Sequence, residues 1–249
     1  MELLLIILIA FSVAVIFSLL GLGGAIIYTP LFFWMGLPLL TAIPMALFLN
    51  AITTASASMT YLKQRMVNTR IAYPVITTSI LGAFIGSYLA RRVDTEIIVL
   101  LLSAVLFLAS IRILFFNSIG ILAGRTVKEK TAVGAVGGFL AGVISSLVGI
   151  GGGTFIVPLL LVLGFETKNA ATTSAFIVTF ISLSGFLGHL SVGGQQMDVS
   201  MLFYAGAAAF AGAQTGSRMI FNRTSSRTIE RMFALVLLFV AGKLLYELM

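Results

Sequence analysis

Two stretches of this chain are one segment written twice. SLLGLGGAIIYTPLFFWMG begins at Ser18 and SLVGIGGGTFIVPLLLVLG begins at Ser146, 128 positions later. Gly21, Gly23, Gly24, Pro30 and Gly36 fall on Gly149, Gly151, Gly152, Pro158 and Gly164. Further along the offset grows to 130, and Gly82, Gly86 and Ser87 match Gly212, Gly216 and Ser217. Near the two ends it reaches 131, where Arg112 matches Lys243. A repeat on this scale fixes the architecture before any single element is assigned. The chain reads as residues 1–116 and 131–249, two copies of one unit, with 117–130 as the linker.

The unit is apolar to a degree that excludes a soluble domain. Hydrophobic side chains make up 59% of the 249 residues and charged ones 9%, against about 25% charged in soluble proteins. Drawn out as one helix at about 1.5 Å per residue, the chain would cross a bilayer core of about 30 Å roughly twelve times, or eight to ten once loops are subtracted. Each copy shows five apolar runs, at 3–20, 25–37, 39–60, 71–90 and 97–116, then at 131–148, 153–165, 168–190, 199–217 and 229–248. Four of each five are long enough to span. The second is not, since thirteen residues give about 20 Å. It follows GLGG or GIGGG and precedes a glycine, so it reads as a half-helix or re-entrant piece. Leu3 to Leu20 carries no basic residue before it, unlike a secretory signal, and is expected to be a retained membrane helix.

The net charge of +7 would suggest nucleic acid in a soluble protein. Here the cations sit in short loops between apolar runs, where they orient a membrane protein. Lys63, Arg65 and Arg70 lie between the third and fourth runs of the first copy, and the matching SVGGQQMD of the second has no basic residue. The next loop reverses this. Arg91 and Arg92 are offset by Asp94 and Glu96, whereas Arg218, Arg223, Arg227 and Arg231 face only Glu230. Arg125, Lys128 and Lys130 load the linker. With these clusters in the cytoplasm, the two copies run in opposite directions and both termini lie outside. The expected fold is an all-α polytopic membrane protein of two inverted repeats, each with about four spanning helices plus the short segment, in the cell inner (plasma) membrane. Secondary transporters commonly have this plan.

Glycine-interrupted short segments at matching places in two repeats point to a transport site. A helix starting at such a turn presents free N–H groups and a positive dipole end, which suits a small anion. The same residues carry a resemblance. Gly21-Leu22-Gly23-Gly24 with Pro30, Gly149-Ile150-Gly151-Gly152 with Pro158, and Ala170-Ala171-Thr172-Thr173-Ser174 resemble the sulfite exporter TauE/SafE family of membrane permeases over essentially the whole chain. The resemblance implies export of a small sulfur-containing anion such as sulfite or a sulfonate. The first copy departs from the pattern: Pro44-Met45-Ala46 stands where the second has Thr172-Thr173-Ser174, so substrate contacts there are expected to be asymmetric.

The expected substrate-binding residues are Gly21, Gly23, Gly24, Asn50 and Thr53 of the first copy, with Gly149, Gly151, Gly152, Gly153, Thr172, Thr173, Ser174 and Gln214 of the second. Thr54 and Tyr61, and Thr179, Ser182 and His189, share the same two helices. Polar groups in an apolar run tend to face the protein interior; Thr and Ser also bond their own helix carbonyls as packing glue. His189, the sole histidine, aligns with Tyr61 and is expected at a solvated interface. Arg112 and Lys243 are expected to snorkel, and the Gly82/Gly86 and Gly212/Gly216 pairs to make helix contacts.

All eight acids lie in loops or at run ends (Glu2, Asp94, Glu96, Glu129, Glu166, Asp198, Glu230, Glu247), so no carboxylate proton relay is expected. An anion leaving the cytosol already gains about 2.3 kcal/mol per charge at 100 mV. No P-loop is present. With no cysteine and a single histidine, neither cofactor nor metal is expected. Ser184 and His189 are five apart and no H-E-x-x-H occurs, which argues against an intramembrane enzyme and leaves no catalytic residue. The expected partners are a small anionic substrate and the lipid bilayer, with self-association into a homo-oligomer permitted and no nucleic acid. The alternative is a membrane subunit or scaffold without transport activity of its own.

Overall fold

The computed structural model describes residues 2–115, 122, 124–193, 197, 199–219 and 238–246. They form α1 (Glu2–Leu20), α2 (Ala25–Trp34), α3 (Leu39–Lys63), α4 (Thr69–Leu89), α5 (Thr95–Phe115), α6 (Val127–Val148), α7 (Gly153–Val162), α8 (Thr167–Val192) and α9 (Val199–Met219), with α10 over 238–246. No strand occurs among the described residues. The order long, short, long, long recurs in α1–α4 and α6–α9. The short members α2 and α7 have ten residues each, about 15 Å, three residues shorter than the apolar runs suggested. Pro30 and Pro158 sit at the same sixth position of each, where a missing N–H removes a helix bond.

Among the described residues, α3, α4, α6 and α8 are long and apolar enough to cross a bilayer. Leu81, Leu108, Val136, Leu140 and Phe203 are exposed on the outside of the bundle, as lipid-facing side chains should be. Thr126 and Glu129 close a capping box, so Val127 to Lys130 form the first turn of α6. Residues 117–121, and Arg223, Arg227, Glu230 and Arg231, lie outside the described residues.

Packing exchanges partners between the copies. α4 lies along α6, and α1 lies along α9; the first helix of each copy meets the fourth helix of the other. The glycine pairs explain how closely. A methyl on Gly82 or Gly86 would run into the backbone carbonyl of Phe139 or Val143, and one on Gly212 or Gly216 into that of Phe11 or Val15. Phe11 and Val15 are 128 residues before Phe139 and Val143, so equivalent glycines meet equivalent carbonyls. Small residues permit this approach in membranes, where apolar burial supplies little drive for helix association. The expected helix-contact role of these glycines is what the structure shows. α3 and α8 pack against each other in the middle, and α2 and α7 lean on α3 and α8 respectively.

Candidate functional site at the paired glycine turns

The turns before α2 and α7 meet in the interior. Gly21, Gly23, Gly149, Gly151 and Gly152 adopt φ between 66° and 84°, which is costly for side chains with a Cβ. Space is also absent. A methyl on Gly21 would strike the Ala171 carbonyl, one on Gly23 the Asn50 amide, and one on Gly153 the Leu22 carbonyl. Each turn is therefore packed against α3, α8 or the opposite turn.

Asn50, fully buried on α3, joins the two turns. Its Oδ1 accepts from the Gly24 and Ala25 amides at 2.5 and 2.8 Å, the first N–H groups of α2. Its Nδ2 donates to Ser182 Oγ at 2.7 Å and to the Gly151 carbonyl at 3.4 Å. Ser182 Oγ in turn donates to the same carbonyl at 3.2 Å. One side-chain amide thus takes the positive end of α2 and ties it to the second turn.

The turns are also cross-locked by hydroxyls. Thr29 on α2 donates to the Gly149 carbonyl at 2.6 Å, and Ser174 on α8 donates to the Gly21 carbonyl at 3.1 Å. Gly21 and Gly149 are repeat equivalents, so each copy holds the other's turn by the same carbonyl. Val157 stands at the repeat position of Thr29, and Ala46 at that of Ser174. The lock is symmetric in geometry and asymmetric in residue, which is why repeat matching alone misses Thr29.

The N-cap of α7 is Gly152, which has no side chain to cap it. The Asn50 position corresponds to Val178 in the second copy, which has no acceptor to offer. A Cβ at Gly152 would lie 3.2 Å from Ser145 Oγ. That hydroxyl and Ser146 Oγ are buried and make no hydrogen bond among the described residues, although buried polar groups ordinarily find one. The second turn therefore has polar capacity that the first has already used.

The other expected contacts are distributed differently. Thr172 Oγ1 donates to the Met66 carbonyl at 3.0 Å, and Thr173 Oγ1 accepts from the Asn68 amide at 3.0 Å; both brace the loop between α3 and α4. Thr53 and Thr54 donate to the Leu49 and Asn50 carbonyls of their own helix at 2.8 Å. Gln214 on α9 donates to the Ser56 carbonyl at 2.8 Å and accepts from Thr60, away from the turns. His189 is fully buried, which corrects the expected solvated position: the end of α6 covers it, and Nε2 bonds the Ser146 carbonyl at 2.8 Å. Lys243 lies 4.0 Å over the Trp34 ring; the Arg112 side chain is outside the described residues.

Two copies packed across each other, apolar outer faces and a buried polar junction of paired helix starts describe a multi-pass membrane protein. Residues 6–244 match the model of the family described as Sulfite exporter TauE/SafE, and the chain belongs to that family. It is 28% identical to the Probable membrane transporter protein YunE of Bacillus subtilis over 92% of each chain. It is 31% identical to a Probable membrane transporter protein of Haemophilus influenzae, over 71% of this chain and 69% of that one. Sulfite exporter TauE/SafE family protein 5 of Arabidopsis thaliana is 38% identical over 26% of this chain and 14% of its own. No solved structure matches the chain.

Proposed function

We propose that the chain is a secondary transporter or facilitator that exports a small sulfur-containing anion, sulfite or a sulfonate, from the cytoplasm. Two inverted repeats, residues 1–116 and 131–249 joined by 117–130, each contribute about four spanning helices plus a short half-helix or re-entrant segment. Both termini lie outside the inner membrane. The anion binds between the glycine turns, with Gly21, Gly23 and Gly24 on one side and Gly149, Gly151, Gly152 and Gly153 on the other. Asn50 and Ser174 sit at the junction. Thr53, Thr172, Thr173 and Gln214 hold the surrounding helices and the loop before α4.

The observation that carries this reading is the Asn50 bridge. An amide oxygen on the first N–H groups of α2 occupies the place where a helix start favours negative charge. An anionic oxygen competes for those donors when Asn50 turns away. At the α7 start the repeat position of Asn50 is Val178, which offers no acceptor, and the Ser145 hydroxyl is at hand. No covalent chemistry is involved, and relative movement of the repeats releases the anion outside.

The test is sulfite efflux from liposomes containing the purified chain alone. Saturable flux that Asn50→Ala reduces supports the reading. Absence of flux from folded protein supports the alternative of a membrane subunit or scaffold.

A further inference from the structure

Arg65 is the one non-glycine residue among those described with positive φ, at 55°. Its position explains the angle. The Arg65 amide donates to the Leu62 carbonyl and the Met66 amide to the Tyr61 carbonyl, both at 3.0 Å. This pair of bonds closes a helix end in the Schellman manner, in which the left-handed residue is usually glycine. The second copy has a glycine at the matching position. Gly193, 128 residues on, has φ 74° and donates to the Leu190 carbonyl at 3.0 Å. The chain thus leaves this helix through a residue of positive φ in both copies, a glycine in one and an arginine in the other. A side chain kept where glycine is the easier choice points to a use for it.

That use is visible in the surroundings. Arg65 lines an open cavity of about 460 Å³ with Asn68, Lys130, Glu166 and Asn169. Two cations against one carboxylate leave the lining net positive. Among the described residues the Arg65 guanidinium makes no ion pair. The loop that carries it is fixed by Thr172 and Thr173 through Met66 and Asn68. The cavity shares helix α8 with a contact to the first glycine turn. Asn169 lines it, and Ser174, five residues or about 7.5 Å further along α8, holds the Gly21 carbonyl.

We propose that this cavity is a capture site for a small oxyanion on its way to the glycine turns, with Arg65 as the binding residue and Asn68, Lys130 and Asn169 as further donors. A guanidinium offers a planar fork matched to two oxygens of such an ion. The inference rests on the reading of the chain as an anion transporter, and it names the entrance to the same path.

The test compares the full chain with Arg65→Gly and Arg65→Lys, in zwitterionic and in anionic liposomes, with sulfite as the probe. Arg65→Gly removes the strained residue, so the protein should unfold at an equal or higher temperature. Its apparent KM for sulfite should nevertheless rise about tenfold, its maximal flux should change little, and sulfite should raise its melting temperature less than that of the original protein. Arg65→Lys should lie between. Unchanged KM and unchanged sulfite stabilisation in Arg65→Gly would overturn the capture site. So would stabilisation of the original protein by anionic lipid alone, lost in Arg65→Gly, with sulfite inert in zwitterionic lipid; the cavity would then be a headgroup site. If the original protein carries no flux but its sulfite stabilisation depends on Arg65, the capture site stands and the transport reading falls.

Discussion

The Tyr61 hydroxyl donates to the Ser18 carbonyl at 2.6 Å, across the ends of α3 and α1. His189 Nε2 meets the Ser146 carbonyl at 2.8 Å in the second copy, with both partners 128 residues further on. A carbonyl only accepts, so Nε2 carries the proton. The histidine is doing the tyrosine's work, closing the helix end just before a glycine turn. Replacing His189 with Phe leaves a buried carbonyl without its donor and should cost about 1–3 kcal/mol. Tyr61→Phe should cost a similar amount. Thermal unfolding in detergent measures both.

A structural histidine bears on the driving force. No acid lies in the middle of an apolar run, and His189 is engaged at a helix end. Efflux of a monoanion should therefore follow membrane potential, gaining about 2.3 kcal/mol per 100 mV, and should persist without a pH gradient. His189→Gln, which keeps a donor, should retain most of the flux. Flux that vanished on collapse of the pH gradient at constant potential would sink this expectation and make His189 a proton carrier.

Asn50 should be the most sensitive polar side chain in the interior. Asn50→Ala strips Oδ1 from two amides and Nδ2 from Ser182, and should cost about 1–3 kcal/mol of stability as well as flux. Asn50→Asp keeps an acceptor at α2 but loses the donor to Ser182. Sulfite should then be excluded by a like charge at the same helix start. Melting temperature and efflux, measured together, separate the two effects.

Much of this arrangement was legible in the sequence because a repeat exposes backbone requirements. Glycines at equal spacing in two copies mark positions that need positive φ or close approach, and at Gly21/Gly149, Gly23/Gly151, Gly82/Gly212 and Gly86/Gly216 they met one or both. The partners of side chains were less accessible. Asn50 bonds residues 101 and 132 positions away, and nothing in the periodicity of α3 selects them. His189 looked solvated because the loop after it is rich in glycine, while the end of α6 that buries it is 43 residues distant. Arg65 did carry a signal, since the repeat pairs it with Gly193.

Topology follows from the asymmetry of corresponding loops. Residues 62–70, 117–130 and 218–228 should face the cytoplasm, with 91–96 and 191–198 outside. The chain has no cysteine, so single cysteines can report sidedness without further change. Cysteines at Asn68 and at Gln195, which lies outside the described residues, should label from opposite sides. Labelling from one side would break the inverted repeat.

The glycine turns and the glycine pairs should fail in different ways. At Gly152 an added Cβ would find contacts no closer than 3.0 Å, with Ile181 and Ser145, so backbone strain is the main penalty. At Gly23 the obstacle is the Asn50 amide, a side chain that can turn aside; at Gly86 it is the Val143 backbone carbonyl, which cannot move without parting α4 from α6. Gly86→Val should therefore mainly lower folded yield. Gly23→Val and Gly152→Val should leave some folded protein that no longer transports and is less stabilised by sulfite, because the valine crowds the helix-start amides; a lost share of that cradle corresponds to about 1–3 kcal/mol of binding. Gly23→Ala combined with Asn50→Ala restores space without restoring the bridge, and should recover fold more than flux. If folded, monodisperse Gly23→Val and Gly152→Val proteins bind and export sulfite normally, the turns serve only to pack the two copies together, and the anion path must run elsewhere along α3 and α8.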